Sequence, residues 1–155
     1  MSTEKVHDAH ISELLPELHR SLIDIAAMMN RPERDVELLD KAGLSLERAL
    51  FPLLVLVERL GPIGVVDLAS RVGRDYTTVS RQVARLEQLG LVSRRSSVAD
   101  KRVREAVITP HGKAATDALD AAREEMALAM FRDWPRKDFD DLVRLMRMLV
   151  TTMTG

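Results

Sequence analysis

A short stretch of this chain carries several hydrogen-bonding side chains at a spacing that would place them on or beside one face of a helix. They are Thr77, Thr78, Ser80, Arg81, Gln82 and Arg85. Arginine can donate two hydrogen bonds to guanine, glutamine can pair with adenine, and a threonine methyl group can pack against thymine. The hydroxyl groups could equally bind phosphates. The sequence leaves open which side chains would meet bases, and an ordinary solvated helix face would carry similar residues.

A second group of interest is Asp100-Lys101-Arg102, which lies in a polar segment between two apolar ones. An arginine at the tip of a hairpin can enter a narrow, electronegative minor groove of DNA. Asp100 could position this tip by pairing with an arginine of the same chain or of a neighbouring one. An Asp-x-Arg triplet is common on surface loops, so its value here comes from its position after a helical region.

The net charge of −1 conceals a basic segment. The stretch from Arg71 to Arg104 contains nine basic and three acidic residues, so it carries +6 and the remainder of the chain carries −7. Concentrated positive charge attracts phosphate backbones and is typical of nucleic-acid-binding faces. A solvated charged surface is the alternative explanation.

The elements that would position these side chains follow a helix-turn-helix pattern. A short helix is predicted from Val65 to Val72, and Gly73 ends it. Asp75 is a good N-cap for a second helix from Tyr76 to Leu89, which Gly90 closes. The apolar residues of this second helix, which would face inward, are Val79, Val83, Leu86 and Leu89.

Two strands are predicted after this pair of helices, at 91–95 and 103–108, with a polar loop from Ser96 to Arg102 between them. They would form a basic hairpin beside the second helix. We expect this hairpin to act as a wing that carries Arg102.

Upstream, apolar residues at three- and four-residue spacing predict a helix from about Ser12 to Met29, which either begins or kinks at Pro16. We expect a polar connection after it, with one apolar patch at Val36, Leu38 and Leu39. A further helix is predicted from Leu46 to Leu60, with Ser45 as its N-cap and a bend or irregular turn at Pro52.

Downstream, one helix is predicted from Thr109 and Pro110 to about Met130, and another carries an apolar stripe from Phe139 to Met153. The terminal helices expose more apolar surface than a small helix-turn-helix core can bury. Pairing with a second copy would bury it, since two-fold symmetric dimers are the commonest oligomers. Coverage of a monomeric core is the alternative.

Composition excludes several classes of function. The chain has no cysteine, which removes disulfides, thiolate metal sites and cysteine-based redox sensing. The best apolar run, Leu50 to Val57, is far shorter than the roughly 20 residues of a membrane span. Met1 to His10 is polar and lacks the apolar core of a signal peptide, so we expect no membrane partner and a cytoplasmic location.

Catalysis and metal binding have little support in the sequence. It contains no phosphate-binding glycine loop, and the spacing of its serines and histidines suggests no nucleophile–base pair. His7 and His10 could share one helical face, but zinc usually requires about four ligands. We therefore expect no enzyme activity, no catalytic residue, no metal site and no cofactor.

Several motifs, in order and at matching spacing, make the chain resemble the MarR family of winged-helix regulators from about Ser45 to Leu119. They are Leu68-Ala69, Val72-Gly73, Thr78-Val79-Ser80-Arg81, Leu86-Glu87, Gly90-Leu91-Val92, Arg94, Asp100-x-Arg102 and Ile108-Thr109-x-x-Gly112. The resemblance implies a triangular homodimer that binds a palindromic operator. It implies that the helix from Tyr76 enters the major groove of double-stranded DNA and that Arg102 enters the minor groove.

Many members of the family are repressors released by small aromatic or phenolic acids, and others sense oxidants or metals, so the resemblance is compatible with a small aromatic or phenolic effector. In this family such molecules commonly bind in the crevice between the dimer helices and the winged domain. His19, Arg20, Phe51 and Arg123 are of a kind that could meet an aromatic acid. The motifs assign no ligand-binding residue, so the ligand-binding residues are unknown from the sequence.

We therefore expect a mainly α fold with a small β-wing, in which N- and C-terminal dimerisation helices flank a winged helix-turn-helix. Within one MarR-like domain at 1–155, the DNA-binding core would span 45–112, and the dimerisation helices would span 11–30 and 113–153. The function expected is sequence-specific regulation of transcription by a homodimer, in the form of a repressor released by a small-molecule effector. The alternative is a winged-helix module for protein interaction or DNA architecture, without a specific operator.

Overall fold

A computed structural model describes residues 2–155 and contains seven helices and three strands in this range. The helices are α1 (Thr3–Met29), α2 (Pro32–Ala42), α3 (Phe51–Leu60), α4 (Val65–Val72), α5 (Tyr76–Gln88), α6 (Pro110–Phe131) and α7 (Arg136–Thr154). The strands are β1 (Ile63–Gly64), β2 (Val92–Ser96) and β3 (Arg104–Ile108). The expected fold class, mainly α with a small β-wing, is confirmed.

The helix-turn-helix forms as expected, because the residues on both sides of its turn have strong local conformational preferences. Gly73 ends α4 in the left-handed conformation, with φ of 66°, which glycine adopts without a steric penalty. Asp75 caps α5 by accepting a hydrogen bond from the backbone N–H of Thr78 at 2.7 Å. The apolar side of α5 is buried at Val79, Val83 and Leu86.

The wing is an antiparallel sheet in the order β1-β3-β2. Val92 pairs with Ile108, and Ser96 pairs with Arg104, so the hairpin of β2 and β3 has no bulge. Each strand begins one residue later than the sequence suggested. The sequence analysis missed β1, which pairs Ile63 with Ala106, because two residues are too few to show an alternating pattern.

Two groups of buried apolar side chains form the interior. The first lies under the helix-turn-helix and the wing and comprises Leu50, Leu53, Leu54, Val57, Ile63, Val65, Leu68, Ala69, Val79, Val83, Leu86, Leu91, Val92, Ala106 and Ala115. The second joins α2 and α3 to α6 and comprises Leu38, Leu39, Phe51, Val55, Leu119 and Ala122. The position of α6 is fixed in part by Gly112, where a Cβ atom would collide with the carbonyl oxygen of Leu91.

Three expectations upstream of the helix-turn-helix were wrong. The first helix begins at Thr3 rather than Ser12, because Ser2 caps it by accepting from the backbone N–H of Lys5 at 3.3 Å. Pro16 therefore lies inside α1 and does not begin it. The start of α1 is polar on most sides, so apolar periodicity could not detect it.

The segment expected to be a polar connection forms α2 instead. Pro32 occupies the first turn, where its missing N–H costs no helical hydrogen bond, and Gly43 ends the helix with φ of 69°. Leu38 and Leu39 are buried against the second apolar group. The apolar patch noted in the sequence was therefore the inward face of a short helix.

The next helix was expected from Leu46 with Ser45 as its cap, but α3 begins at Phe51. Pro52 explains the difference, because a proline in the first turn is tolerated whereas one in the middle of a helix removes a hydrogen bond. The residues before α3 instead form a turn, in which the backbone N–H of Leu50 donates to the carbonyl of Glu47 at 2.9 Å. This turn lies beside the start of α5.

The terminal helices differ from the rest in having no buried residue in α1 or α7. Their apolar side chains are about half exposed, for example Leu15 and Leu18 in α1 and Val150 in α7. At the junction of α6 and α7, Phe131 packs against Trp134 and Phe139 with ring centroids about 5 Å apart.

Candidate nucleic-acid interface

The outward side of α5 carries the side chains that the sequence singled out. Thr77, Arg81 and Arg85 are exposed there, and Thr78, Ser80 and Gln82 are half-buried. Together with the turn before α3, Thr78, Arg81, Gln82 and Arg85 line a shallow hollow of about 260 Å³. Polar and cationic groups thus dominate the side of the helix that faces away from the core.

The start of α5 is held by Asp75. Its carboxylate accepts from the backbone N–H of Thr78 at 2.7 Å and from the hydroxyl of Thr78 at 2.8 Å. The backbone hydrogen bond, then the hydroxyl and the nearby charge of Arg81, keep the pKa of Asp75 below its ordinary value. The cap therefore stays charged near neutral pH and fixes the direction of the helix axis.

Two residues of the outward face are engaged with the rest of the protein. The guanidinium of Arg85 lies 3.6 Å from the carboxylate of Glu47, in the turn before α3. Gln82 accepts a hydrogen bond at 2.9 Å from Arg74, which also donates to the carbonyl of Ala49 at 2.8 Å. Sequence reasoning did not single out Arg74. The only feature of the sequence that could have indicated its role is that Arg74 is a basic residue next to the N-cap Asp75.

The wing is attached to α5 through Arg94. Its guanidinium donates to the carbonyl of Ser80 at 3.4 Å and lies 3.9 Å from the carboxylate of Glu87. Arg94 is partly buried, so these contacts form in a less polar setting than surface pairs do. They link β2 of the wing directly to α5, the helix on which Arg81 lies.

The tip of the wing is a compact turn built around Asp100. The hydroxyl of Ser97 accepts from the backbone N–H groups of Ala99 and Asp100, at 3.2 and 3.4 Å. The carboxylate of Asp100 accepts from the backbone N–H of Arg102 at 3.0 Å and from its guanidinium at 3.2 and 3.3 Å. These bonds, the guanidinium first, hold the pKa of Asp100 below its ordinary value.

Arg102 is therefore both oriented and accessible. Its side chain keeps 91 % of its surface exposed while it is paired with Asp100. The sequence left open whether Asp100 would pair within the chain or with a neighbour, and in this structure the partner is Arg102 itself. An arginine held in this way can be presented to a ligand at the tip of the wing.

The described part of the chain shows neither a metal-binding group nor a helix suited to span a membrane. Residues 2–155 contain no group of three or more His, Cys, Asp or Glu residues arranged to hold a metal ion. No helix within this range is long and apolar enough to span a membrane.

Comparison with known proteins agrees with this geometry. The model of the MarR family matches residues 46–103, which include the turn before α3, the helix-turn-helix and the tip of the wing. An uncharacterized HTH-type transcriptional regulator of Bacillus subtilis (strain 168), YxaD, is 34% identical over 110 residues, which cover 69% of this chain and 77% of that protein. The chain belongs to the MarR family.

Two solved structures share the fold over nearly the whole chain. A MarR family protein from Bacillus stearothermophilus superposes with a TM-score of 0.79 at 22% identity, over 93% of this chain and 98% of the other. YusO from Bacillus subtilis does so with a TM-score of 0.64 at 19% identity, over 90% of this chain and 96% of the other. At these identities the likeness concerns the fold, including the terminal helices.

Family membership establishes the general function. The chain is a DNA-binding transcriptional regulator with a winged helix, and the expectation of a regulator rather than an enzyme is confirmed by its family and by its relative.

Proposed function

We propose that this MarR protein is a homodimeric repressor that binds a palindromic operator and is released by a small aromatic acid. In each half-site α5 enters the major groove, where Thr77, Thr78, Ser80, Arg81, Gln82 and Arg85 contact bases and phosphates. Arg102, positioned by Asp100, enters the adjacent minor groove. The observation that carries the proposal is the exposed, oriented Arg102 beside a helix whose outward face is polar and basic.

The dimer is supported by the apolar faces of α1 and α7. Large side chains such as Leu14, Leu18 and Ile25 in α1 and Met146 and Val150 in α7 are about half exposed. Contiguous apolar surface of this kind usually marks an interface. We propose that residues 11–30 and 113–153 bury it against a second copy, which would place the two winged regions (45–112) on successive half-sites, on the order of 10 bp apart.

The effector is supported by a pocket of about 550 Å³ between α1, α2, α3 and α6. Its apolar lining includes Phe51, Met126 and Phe131, and Arg34 and Arg123 also line it. Aromatic and thioether groups suit an aromatic ring, and an arginine suits a carboxylate. Of the four residues that the sequence suggested for this role, Phe51 and Arg123 line the pocket.

A series of hydrogen bonds runs from this pocket towards α5, which supports release by a ligand. Asp35, which lines the pocket, accepts from Arg48 at 2.7 Å. The next residue is Ala49, whose carbonyl accepts from Arg74, and Arg74 in turn binds Gln82 on α5. A bound carboxylate would compete with Asp35 for Arg48. Loss of this pair would disturb the turn that contacts α5.

DNA binding is tested by fluorescence anisotropy with fragments upstream of the gene and with sites selected from random DNA, over a salt series. We expect selective binding that weakens steeply with salt, since phosphate contacts release counterions. Arg102→Ala should lose about 1–3 kcal/mol of binding free energy with an unchanged melting curve. Weak and equal binding to all fragments would instead favour an architectural or protein-binding module.

The matched control is Lys101→Ala, which removes the same charge from the neighbouring position. We expect it to reduce the salt dependence slightly without changing which fragments are preferred. If Arg102→Ala behaves like Lys101→Ala, Arg102 is only a general phosphate contact. Wild-type affinity in Arg102→Ala would exclude a role for the tip of the wing.

Effector release is tested in the same assay by adding benzoate as a simple aromatic acid. We expect benzoate to lower the DNA affinity of the wild type and to have a much smaller effect on Arg123→Met. Equal sensitivity of the two proteins would place the effector outside this pocket, and a lack of effect on the wild type would contradict release by simple aromatic acids.

A further inference from the structure

Arg74 connects the turn before α3 to the outward face of α5. One guanidinium nitrogen, Nη1, donates to the carbonyl of Ala49 at 2.8 Å and to the side-chain oxygen of Gln82 at 2.9 Å. The backbone of Arg74 is itself fixed, because its N–H donates to the carbonyl of Ala69 at 3.1 Å as α4 ends. Arg74 is partly buried, and a hydrogen bond from a charged donor is stronger than one between neutral groups.

This contact determines which way the amide of Gln82 is turned. A guanidinium has donors and no acceptor, so only the amide oxygen of Gln82 can face it. The amide NH₂ group is then the part of Gln82 that is left to meet a ligand in the hollow that it shares with Thr78, Arg81 and Arg85. Within residues 2–155 this NH₂ group donates no hydrogen bond.

The bases differ in what they offer such a donor in the major groove. Guanine presents two acceptors, N7 and O6, and thymine presents O4, whereas cytosine presents a donor and adenine presents one acceptor and one donor. The bidentate pairing of glutamine with adenine requires the amide oxygen to accept from adenine N6. In this protein that oxygen already accepts from a cation, which weakens it as a partner for N6.

We propose that Arg74 is a positioning residue for base recognition, which makes Gln82 a hydrogen-bond donor that selects a keto base, guanine or thymine, over an amino base at one position of each half-site. This inference rests on the proposed function, because it requires α5 to lie in the major groove. By restricting the rotamers of Gln82 before binding, Arg74 also lowers the entropy that Gln82 loses on contact.

The test uses a site selected from random DNA by the wild-type protein, with each base pair of one half-site replaced in turn. For the wild type we expect one position on one strand at which a site with a keto base is bound about tenfold more tightly than a site with an amino base. In Arg74→Met this ratio should approach one, with the ratios at other positions retained. The control is Arg71→Met, which removes the same charge from an exposed arginine paired with Asp67, and it should keep the wild-type profile.

A second variant reverses the chemistry at the same place. Gln82→Glu keeps an oxygen for Arg74 but presents only acceptors to the groove. We expect its preference at that position to move from a keto base to cytosine, whose N4 is a donor. A preference for adenine in the wild type, or an unchanged preference in Gln82→Glu, would overturn the inference.

The inference and the proposed function fail in different ways. If the wild type selects no site at all, the proposed function fails and the inference fails with it. If the wild type selects a site but Arg74→Met keeps its full base profile, only the inference is overturned.

If Arg74→Met does not fold, the Gln82 side-chain amide of the wild type can be examined by NMR, with Gln82→Ala used for its assignment. A rigid side-chain amide, seen as a high heteronuclear NOE, supports the contact with Arg74. A freely rotating amide overturns it.

Discussion

The winged helix-turn-helix and the terminal helices use apolar residues in opposite ways. In the winged region, leucines such as Leu53, Leu68 and Leu86 are completely buried. In α1 and α7 no residue is buried, although α1 is rich in leucine, isoleucine and methionine and α7 is rich in leucine and methionine. One region is therefore complete within a single chain, whereas the other presents an apolar surface that nothing in residues 2–155 covers.

The difference shows that amphipathic helices alone do not define a core. The short helix α4 is buried on one side because a glycine turn folds it directly onto α5. By contrast, α1 is 27 residues long and projects apolar side chains along its whole length. We therefore expect the winged region to owe its stability to packing within the chain and the terminal helices to owe theirs to a partner surface.

The largest expected effect follows from removing a buried leucine of the winged region. Leu68→Ala should lower the free energy of unfolding by about 2–5 kcal/mol, because it leaves a cavity in a close-packed core. Chemical denaturation at several protein concentrations measures this, and the loss should be the same at each concentration. The control is Val66→Ala in the same helix, where Val66 is 71% exposed and the change should stay within about 0.5 kcal/mol.

A charge on the terminal helices should act on assembly rather than on the winged core. In Leu18→Glu a carboxylate replaces a half-exposed leucine of α1, and burying this charge in a dimer interface would be costly. We expect the dimer dissociation constant to rise about a hundredfold, or roughly 2.7 kcal/mol. Sedimentation equilibrium measures this.

Val98→Glu makes a comparable change on the wing, where Val98 is 95% exposed, and should leave the dimer mass unaltered. A wild-type mass for Leu18→Glu, or a monomeric wild type, would remove α1 from the interface and weaken the contrast between the two regions.

The smallest effect concerns the cap of α5 and depends on pH. The folded pKa of Asp75 lies below its ordinary value of 3.8, so its stabilising contribution is present above that pH. It is lost as the pH falls through the folded pKa. Asp75→Asn keeps an acceptor for the N–H of Thr78 but cannot titrate.

We therefore expect the difference in melting temperature between the wild type and Asp75→Asn to be constant above about pH 5 and to shrink below pH 3.8. A difference that stays constant down to pH 2.5 would show that the charge of Asp75 contributes nothing. Asp75→Ala, which lacks any acceptor, should be less stable than Asp75→Asn at neutral pH.

Sequence reasoning succeeded where a local signal specified the backbone. Asp75 and Gly73 defined the helix-turn-helix, and the polar loop between two apolar segments located the strands of the wing to within one residue. It failed where the signal was weak or ambiguous. The periodicity predicts a longer helix around Pro52, whereas Pro52 belongs to the first turn of α3, and the patch around Leu38 lies in a helix rather than in a connection.

In the candidate interface, too, the sequence predicts some features and not others. The outward positions of Arg81 and Arg85 follow from helical periodicity and from the apolar residues between them. The pairing of Arg85 with Glu47, and of Gln82 with Arg74, does not. Those contacts depend on how the turn before α3 is laid against α5, which no local pattern reports.

The amino-acid sequence by itself determined the helix-turn-helix and the two longer strands of the wing, the basic character of the region from Arg71 to Arg104 and the motifs that indicate the family. These features depend on local propensity and composition, which act over a few residues. Tertiary structure alone decided that α1 and α7 remain uncovered, that Asp100 pairs with Arg102 of its own chain and that Arg74 holds the amide of Gln82. These features depend on side-chain geometry and, for α1, α7 and Arg74, on segments far apart in the chain, so only the packed fold can establish them.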